Sequence, residues 1–219
     1  FQDIGVDRSI SVVVLRGNGP AFCAGHDLGE LVGASEEFVA HEFALCSELM
    51  QAIVGLPQPV IAQVHGIATA AGCQLVAQCD LAVAASDARF AVSGVNLGLF
   101  CATPSVALSR NLGRKAAFEM LVTGAFIGAE EAKAKGLVNR VVPPDQVEAA
   151  VEALVAAIVH KPRLPLAMGK ALFYRQLEVG IEAAYADAGE TMACNMMDRS
   201  ALEGVQAFID KRPPDWNLR

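Results

Sequence analysis

The 219-residue chain is 53% hydrophobic and 19% charged, with a mean hydropathy of +0.39, which gives enough apolar material for a sizeable core and too little charge for a disordered chain. Its apolar excess over an ordinary soluble domain points to further burial at subunit contacts, and so to an oligomer. A net charge of −7 and a pI near 5.1 leave no broad basic face for phosphate backbones, which excludes nucleic acid as a partner.

Residues 1–6 read as the tail of a helix running straight into a strand, so the first unit reads as one without its beginning. Strand-like apolar runs recur at 10–15, 59–64, 80–84 and 138–142, with patterned helical stretches between most of them. That alternation predicts an α/β core with crossover connections. Val39, Phe43, Cys46, Leu49 and Ile53 step by three or four and form one helix face, stopped by the two prolines of LPQP. A short helix at 129–135 is closed by Gly136 as a left-handed cap, and VPPD supplies Asp145 as N-cap of the next helix. Helical patterns at 147–159, 164–176, 181–197 and 201–210 then replace strand signals. We therefore expect an α/β core over 1–143 and a helical region over 144–219 that packs on the core and on neighbouring subunits.

No run of about 18 strongly apolar residues and no basic-then-apolar leader is present, so neither a membrane span nor a signal peptide is expected. The six cysteines, Cys23, Cys46, Cys73, Cys79, Cys101 and Cys194, show no paired framework. They read as reduced thiols in the cytoplasm or another reducing compartment, such as an organelle matrix.

Two loops rich in small residues each follow a strand: GNGPAFCAGHDL from Gly17, and HGIATAAGCQ from His65. Small residues there make either a tight strand-to-helix turn or a place where backbone approaches a ligand, with free N–H groups aimed at developing negative charge. Phe22 stands where a GxGxxG fingerprint needs its third glycine, and no P-loop or GxSxG elbow occurs. The histidines His26, His41, His65 and His160 lack metal-ligand spacing, so no metal is expected.

The segments FCAGHDL, PVIAQVHGIATAAGCQLVAQCDLAVAASDARFA, LVTGAFIGAEEAKAKGLVNRVVP and AFIDKRPPDW, in that order, resemble the crotonase (enoyl-CoA hydratase/isomerase) superfamily over nearly the whole chain. The resemblance implies a crotonase-like spiral of ββα units with a C-terminal helical trimerisation region, assembled as homotrimers or dimers of trimers. It also implies an acyl-CoA thioester as substrate, with no cofactor beyond the coenzyme A the substrate carries. The oxyanion hole would be the backbone N–H groups of His26, after Ala24 and Gly25, and of Ala71, before Gly72.

Hydratases of this family use two glutamates, one to activate water and one to protonate the α-carbon. Here the first position holds Gln74 and the second Gly94, and neither exchanges protons at neutral pH. Gln74 either orients a water or substrate or satisfies the helix start, while Gly94 is expected to leave space in the pocket. Cys101, on the loop after the second position, reads as an acid/base or nucleophile or as a buried structural thiol; the naphthoyl-CoA synthase branch pairs an aspartate on that loop with a glycine at the second-glutamate position. His26 is the leading proton-transfer candidate. Asp27 is expected to cap or brace its loop, His65 to bond locally, and Thr69 and Asn96 to offer neutral hydrogen bonds. Lys211 and Arg212, and with them Arg89 and Lys170, read as coenzyme A phosphate contacts or as solvated charges.

Overall fold

The computed structural model describes residues 1–216. After a short helix α1 (Gln2–Val6), strands β1 (Val13–Arg16), β2 (Val60–Val64), β4 (Leu81–Ala85) and β7 (Arg140–Val142) form one parallel sheet in the order β1-β2-β4-β7. These are the four strands that the apolar runs predict. β2 and β4 are the buried central pair, with Ile61 beside Leu81 and Val64 beside Ala84. Their near-continuous runs VIAQV and LAVAA are what a strand covered on both faces requires. Three very short strands, β3 (Ile67–Thr69), β5 (Arg89–Ala91) and β6 (Ile127–Gly128), make a second sheet, β3 parallel to β5 and β5 antiparallel to β6.

Between β1 and β2 lie α2 (Leu28–Leu31) and the long α3 (Glu36–Gly55), whose N-terminus is capped by the Ser35 hydroxyl accepting the Phe38 N–H at 3.2 Å. Helix α4 (Ala71–Gln78) is central, with Gly72, Cys73, Gln74, Val76 and Ala77 buried. Beyond β5 come α5 (Ala102–Asn111), α6 (Arg114–Thr123) and α7 (Ala129–Ala134). The Asn111 amide ties α5 to α4 by donating to the Ala77 carbonyl at 2.8 Å. Gly136, at φ +90°, closes α7: its N–H donates to Lys133 O and the Leu137 N–H to Ala132 O, a Schellman cap.

The remaining described elements are helical: α8 (Val147–Val159), α9 (Arg163–Gln176), α10 (Ile181–Met196) and α11 (Arg199–Ile209). The expected helical region runs to 219, and residues 217–219 lie outside the described part. Asp145 does not cap α8. Pro143 and Pro144 set a 3-10 turn, Pro144–Gln146, closed by the Gln146 N–H on Pro143 O at 2.9 Å, and α8 starts one residue after it.

Lys170 is neither a solvated charge nor a phosphate ligand. It is buried on α9, and its ammonium donates to Ile53 O (2.9 Å), Gln58 O (3.0 Å) and Asp80 Oδ2 (2.7 Å). Asp80 also accepts the Val60 N–H at 2.6 Å and the Tyr174 hydroxyl at 2.7 Å. This network pins α9 to the entry of β2 and β4. Burial first, then Asp80, pushes the Tyr174 hydroxyl well above its ordinary pKa.

Candidate active site

The stretch at residues 22–23 runs beside β3. Phe22 N–H donates to His65 O (3.1 Å), Cys23 N–H to Ile67 O (3.2 Å), and Thr69 N–H to Cys23 O (3.0 Å). This ladder holds the two small-residue loops in register. Their glycines are there for contact: a Cβ on Gly72 would stand 2.1 Å from Cys23 O, and one on Gly66 2.2 Å from Pro20 O. Gly25 has φ +97°, and a Cβ on it would lie 3.4 Å from the Ala71 nitrogen. The residue before the presumed first donor of the resemblance therefore abuts the second donor.

Ala70 sits at φ 52° and ψ −120°, a conformation costly for any residue with a Cβ. It is held on both sides, its N–H on Ala91 O (3.0 Å) and its carbonyl accepting the Gln74 N–H (3.1 Å). That turn starts α4 and sends the Ala71 N–H out at the positive end of the helix. Among the described residues neither the His26 nor the Ala71 N–H has an acceptor.

Both residues line a cavity of about 280 Å³. The first loop contributes Cys23, Gly25 and His26, α4 contributes Ala71 and Leu75, and α3 contributes Glu42, Leu45, Cys46, Leu49 and Met50. The His26 ring packs on Phe43 with centroids 5.0 Å apart. Burial, then the neighbouring Cys23, raises the Cys46 thiol pKa. A larger depression of about 440 Å³ lies between β1 and α8; of its charged groups Arg16, Glu148 and Glu152, the first two pair with each other at 4.0 Å. The two N–H groups without acceptors line the smaller cavity and not this depression, which makes the smaller cavity the candidate site.

Other residues singled out in the sequence lie apart. Ala24 is exposed. Asp27 caps α2, its carboxylate accepting the Gly29 N–H at 2.8 Å. Gln74 is 3% exposed, and its amide oxygen accepts no hydrogen bond among the described residues. Gly94 does not leave room in the pocket: a Cβ there would be 2.7 Å from Cys101 Sγ and 2.8 Å from Leu99 O. Cys101 is buried and accepts the Gly94 N–H at 3.3 Å, bracing the loop. Lys211 is exposed at φ 56° in the Schellman cap that ends α11, away from the cavity-lining residues. Arg212 pairs with Glu203 at 2.6 Å, and the exposed Arg89 lies over Phe126 at 4.9 Å. His65 Nε2 bonds Gly19 O at 2.8 Å, Thr69 and Ser93 share a hydroxyl bond at 3.2 Å, and the Asn96 amide donates to Gly124 O at 3.3 Å.

Sequence reasoning missed Glu42. It stands one turn before Cys46 on the inner face of α3, and that interruption of an apolar stripe by a carboxylate was the available signal. Among the described residues no helix is long and apolar enough to cross a membrane, and no group of side chains could hold a metal.

Parallel crossovers bring two N–H groups without acceptors among the described residues to one cavity of this α/β protein. The Enoyl-CoA hydratase/isomerase family profile matches residues 1–219, and the chain belongs to that family. It is 46% identical to the rat mitochondrial enoyl-CoA hydratase domain-containing protein 3 over 211 residues, 96% of this chain and 70% of the relative. It is 34% identical to the 2,3-dehydroadipyl-CoA hydratase of Escherichia coli, covering 100% of this chain and 86% of that protein. A crystal structure of an enoyl-CoA hydratase from Mycobacterium smegmatis superposes with a TM-score of 0.97 at 65% identity, over 99% of this chain and 85% of that one. The fold is thus the crotonase fold.

Proposed function

We propose that this chain binds an acyl-CoA thioester and stabilises its enolate between the His26 and Ala71 N–H groups. The observation that carries the reading is the pair of unpaired donors flanking Gly25 at the mouth of one cavity. An enolate oxygen gains charge only as the α C–H bond breaks, so such donors favour the transition state over the bound ester; each is typically worth about 2.7–4 kcal/mol. The His26 imidazole, on the cavity wall, is a proton carrier of the site. Isomerisation, α-proton exchange, decarboxylation, carbon–carbon cleavage and slow hydration all share this enolate. Ordinary hydration is weak, because Gln74 and Gly94 occupy the two glutamate positions. Those positions also favour a second reading, an acyl-CoA-binding oligomer without turnover.

The assembly is a homotrimer or dimer of trimers, supported by exposed apolar residues on the C-terminal helices, among them Ile181 (76%), Met192 (66%) and Phe208 (84%). The compartment is the cytoplasm or a reducing organelle matrix; the rat relative's name places that protein in mitochondria. No metal and no cofactor beyond the substrate's coenzyme A is required. Butyryl-CoA and crotonyl-CoA at about a hundred times Kd should stabilise the fold by about 2.7 kcal/mol, read as a rise in Tm. Turnover of crotonyl-CoA should be slow in the same samples. The absence of any shift with either thioester contradicts the binding claim, and rapid hydration contradicts the assignment of weak hydratase activity.

A further inference from the structure

We propose that Glu42 is a second catalytic residue of this cavity, the carboxylate that takes and returns the substrate's α-proton. The inference rests on the enolate reading above and adds a residue to it. The two positions from which hydratases present glutamates hold Gln74 and Gly94 here, so those elements aim no carboxylate at the substrate. A third element brings a carboxylate to the cavity lining. Glu42 lies on α3, across the cavity from the loop that carries His26 and from Ala71 at the start of α4.

Two observations set this side chain apart from a surface charge. Glu42 is half-buried among Leu45, Leu49 and Leu75, on the helix face that continues through Cys46 to the buried Met50 and Ile53. Among the described residues it makes no ion pair and accepts no hydrogen bond, whereas α3's neighbour α9 spends its buried Lys170 on Asp80. A carboxylate on the cavity wall without a protein partner is free to meet a ligand there. Of the groups lining the cavity, Glu42 supplies the carboxylate and His26 the imidazole, while burial raises the Cys46 thiol pKa.

The step balances without a co-reactant. The α C–H bond breaks, its proton passes to the Glu42 carboxylate, and its electron pair moves onto the thioester oxygen held by the two N–H groups. Return of a proton to the α-carbon regenerates the thioester. Where the substrate is β,γ-unsaturated, delivery of a proton from protonated His26 to the γ-carbon shifts the double bond, and transfer of the Glu42 proton back to His26 through solvent restores both residues.

The test is α-hydrogen exchange of butyryl-CoA in heavy water, read by mass spectrometry, with binding followed by the thermal shift on the same samples. Glu42→Gln should lower the exchange rate about a hundredfold or more while leaving binding within about twofold. Glu42→Ala should be equally slow and should recover rate when formate is added, which a merely structural role of Glu42 would not produce. If Glu42→Gln exchanges at the wild-type rate while His26→Ala does not, the imidazole alone moves the proton; the proposal fails and the enolate reading stands. If the wild-type protein binds butyryl-CoA and exchanges nothing, both fail together.

Discussion

The Cys101 sulfur occupies the space in which a side chain at Gly94 would begin, 2.7 Å from where its Cβ would stand, and accepts the Gly94 N–H at 3.3 Å. The loop is filled from within rather than opened to the substrate. Gly94→Ala should therefore destabilise the fold by about 1–3 kcal/mol through overpacking. Cys101→Ala in the same chain should recover only part of the loss, because Leu99 O remains 2.8 Å from the new carbon. Denaturant melts of the two variants beside the unaltered protein check this.

Restoring hydratase groups follows from the same geometry. Gln74→Glu is nearly isosteric, and it places a carboxylic acid where an amide oxygen now lacks a donor. It should fold and raise crotonyl-CoA hydration. Adding Gly94→Glu should lower Tm and bring less gain than two freely accommodated glutamates. A well-folded double variant with high hydration would contradict the crowding seen at Gly94.

The closeness of the two small-residue loops depends on Gly72, whose Cα faces Cys23 O so tightly that a Cβ would approach to 2.1 Å. Gly72→Ala must separate the loops. It should cost at least the upper end of the ~1–3 kcal/mol typical of overpacking, and any folded fraction should lose the thermal shift with butyryl-CoA. A stable variant that still binds would show that loop convergence is not what makes the site.

The legible parts of the sequence were those where one physical demand dominates. Buried parallel strands need unbroken apolar runs, so β1, β2, β4 and β7 stand out, whereas β3, β5 and β6 have only two or three residues each and carry no period. Helix α5 was hidden by Pro104, which falls in its first turn, where no N–H is needed. Glycines forced by contact marked the two loops of the site. Gly94 misled because a missing side chain reads as space, and the atom that fills it arrives seven residues later. Glu42 was passed over for the converse reason: one charge in an apolar stripe reads as solvated until the facing loop is placed.

Lys170 satisfies two carbonyls and Asp80 at once. Lys170→Met should cost about 3–5 kcal/mol, since it leaves a buried carboxylate without its cation. Adding Asp80→Asn should cost less than the sum of the two single changes, as expected for coupled neighbours. Additive losses in urea melts would contradict the network.

Alkaline stability has a defined direction. Burial first, then Cys101 for Cys73 and Asp80 for Cys79, pushes both thiols up to about 12 from an ordinary value of 9.0. In this window the unfolded chain releases protons that the folded chain retains, so stability falls as pH rises from about 9 to about 12, by up to about 1.4 kcal/mol per pH unit for each thiol. Tyr174, also raised, acts in the same direction at still higher pH. Both thiols should be unreactive to alkylation at pH 8 until the protein unfolds, while the exposed Cys194 reacts at once.

The enolate claim is tested most directly with acetoacetyl-CoA, whose enolate absorbs in the ultraviolet where its keto form does not. The Ala71 N–H at the start of α4 and the His26 N–H on the facing loop should together draw the bound ligand toward the enolate. Titrating the protein into acetoacetyl-CoA at neutral pH should therefore raise the enolate band in proportion to the complex formed. A ligand shown to be bound by its thermal shift, yet retaining its keto spectrum, would contradict the account.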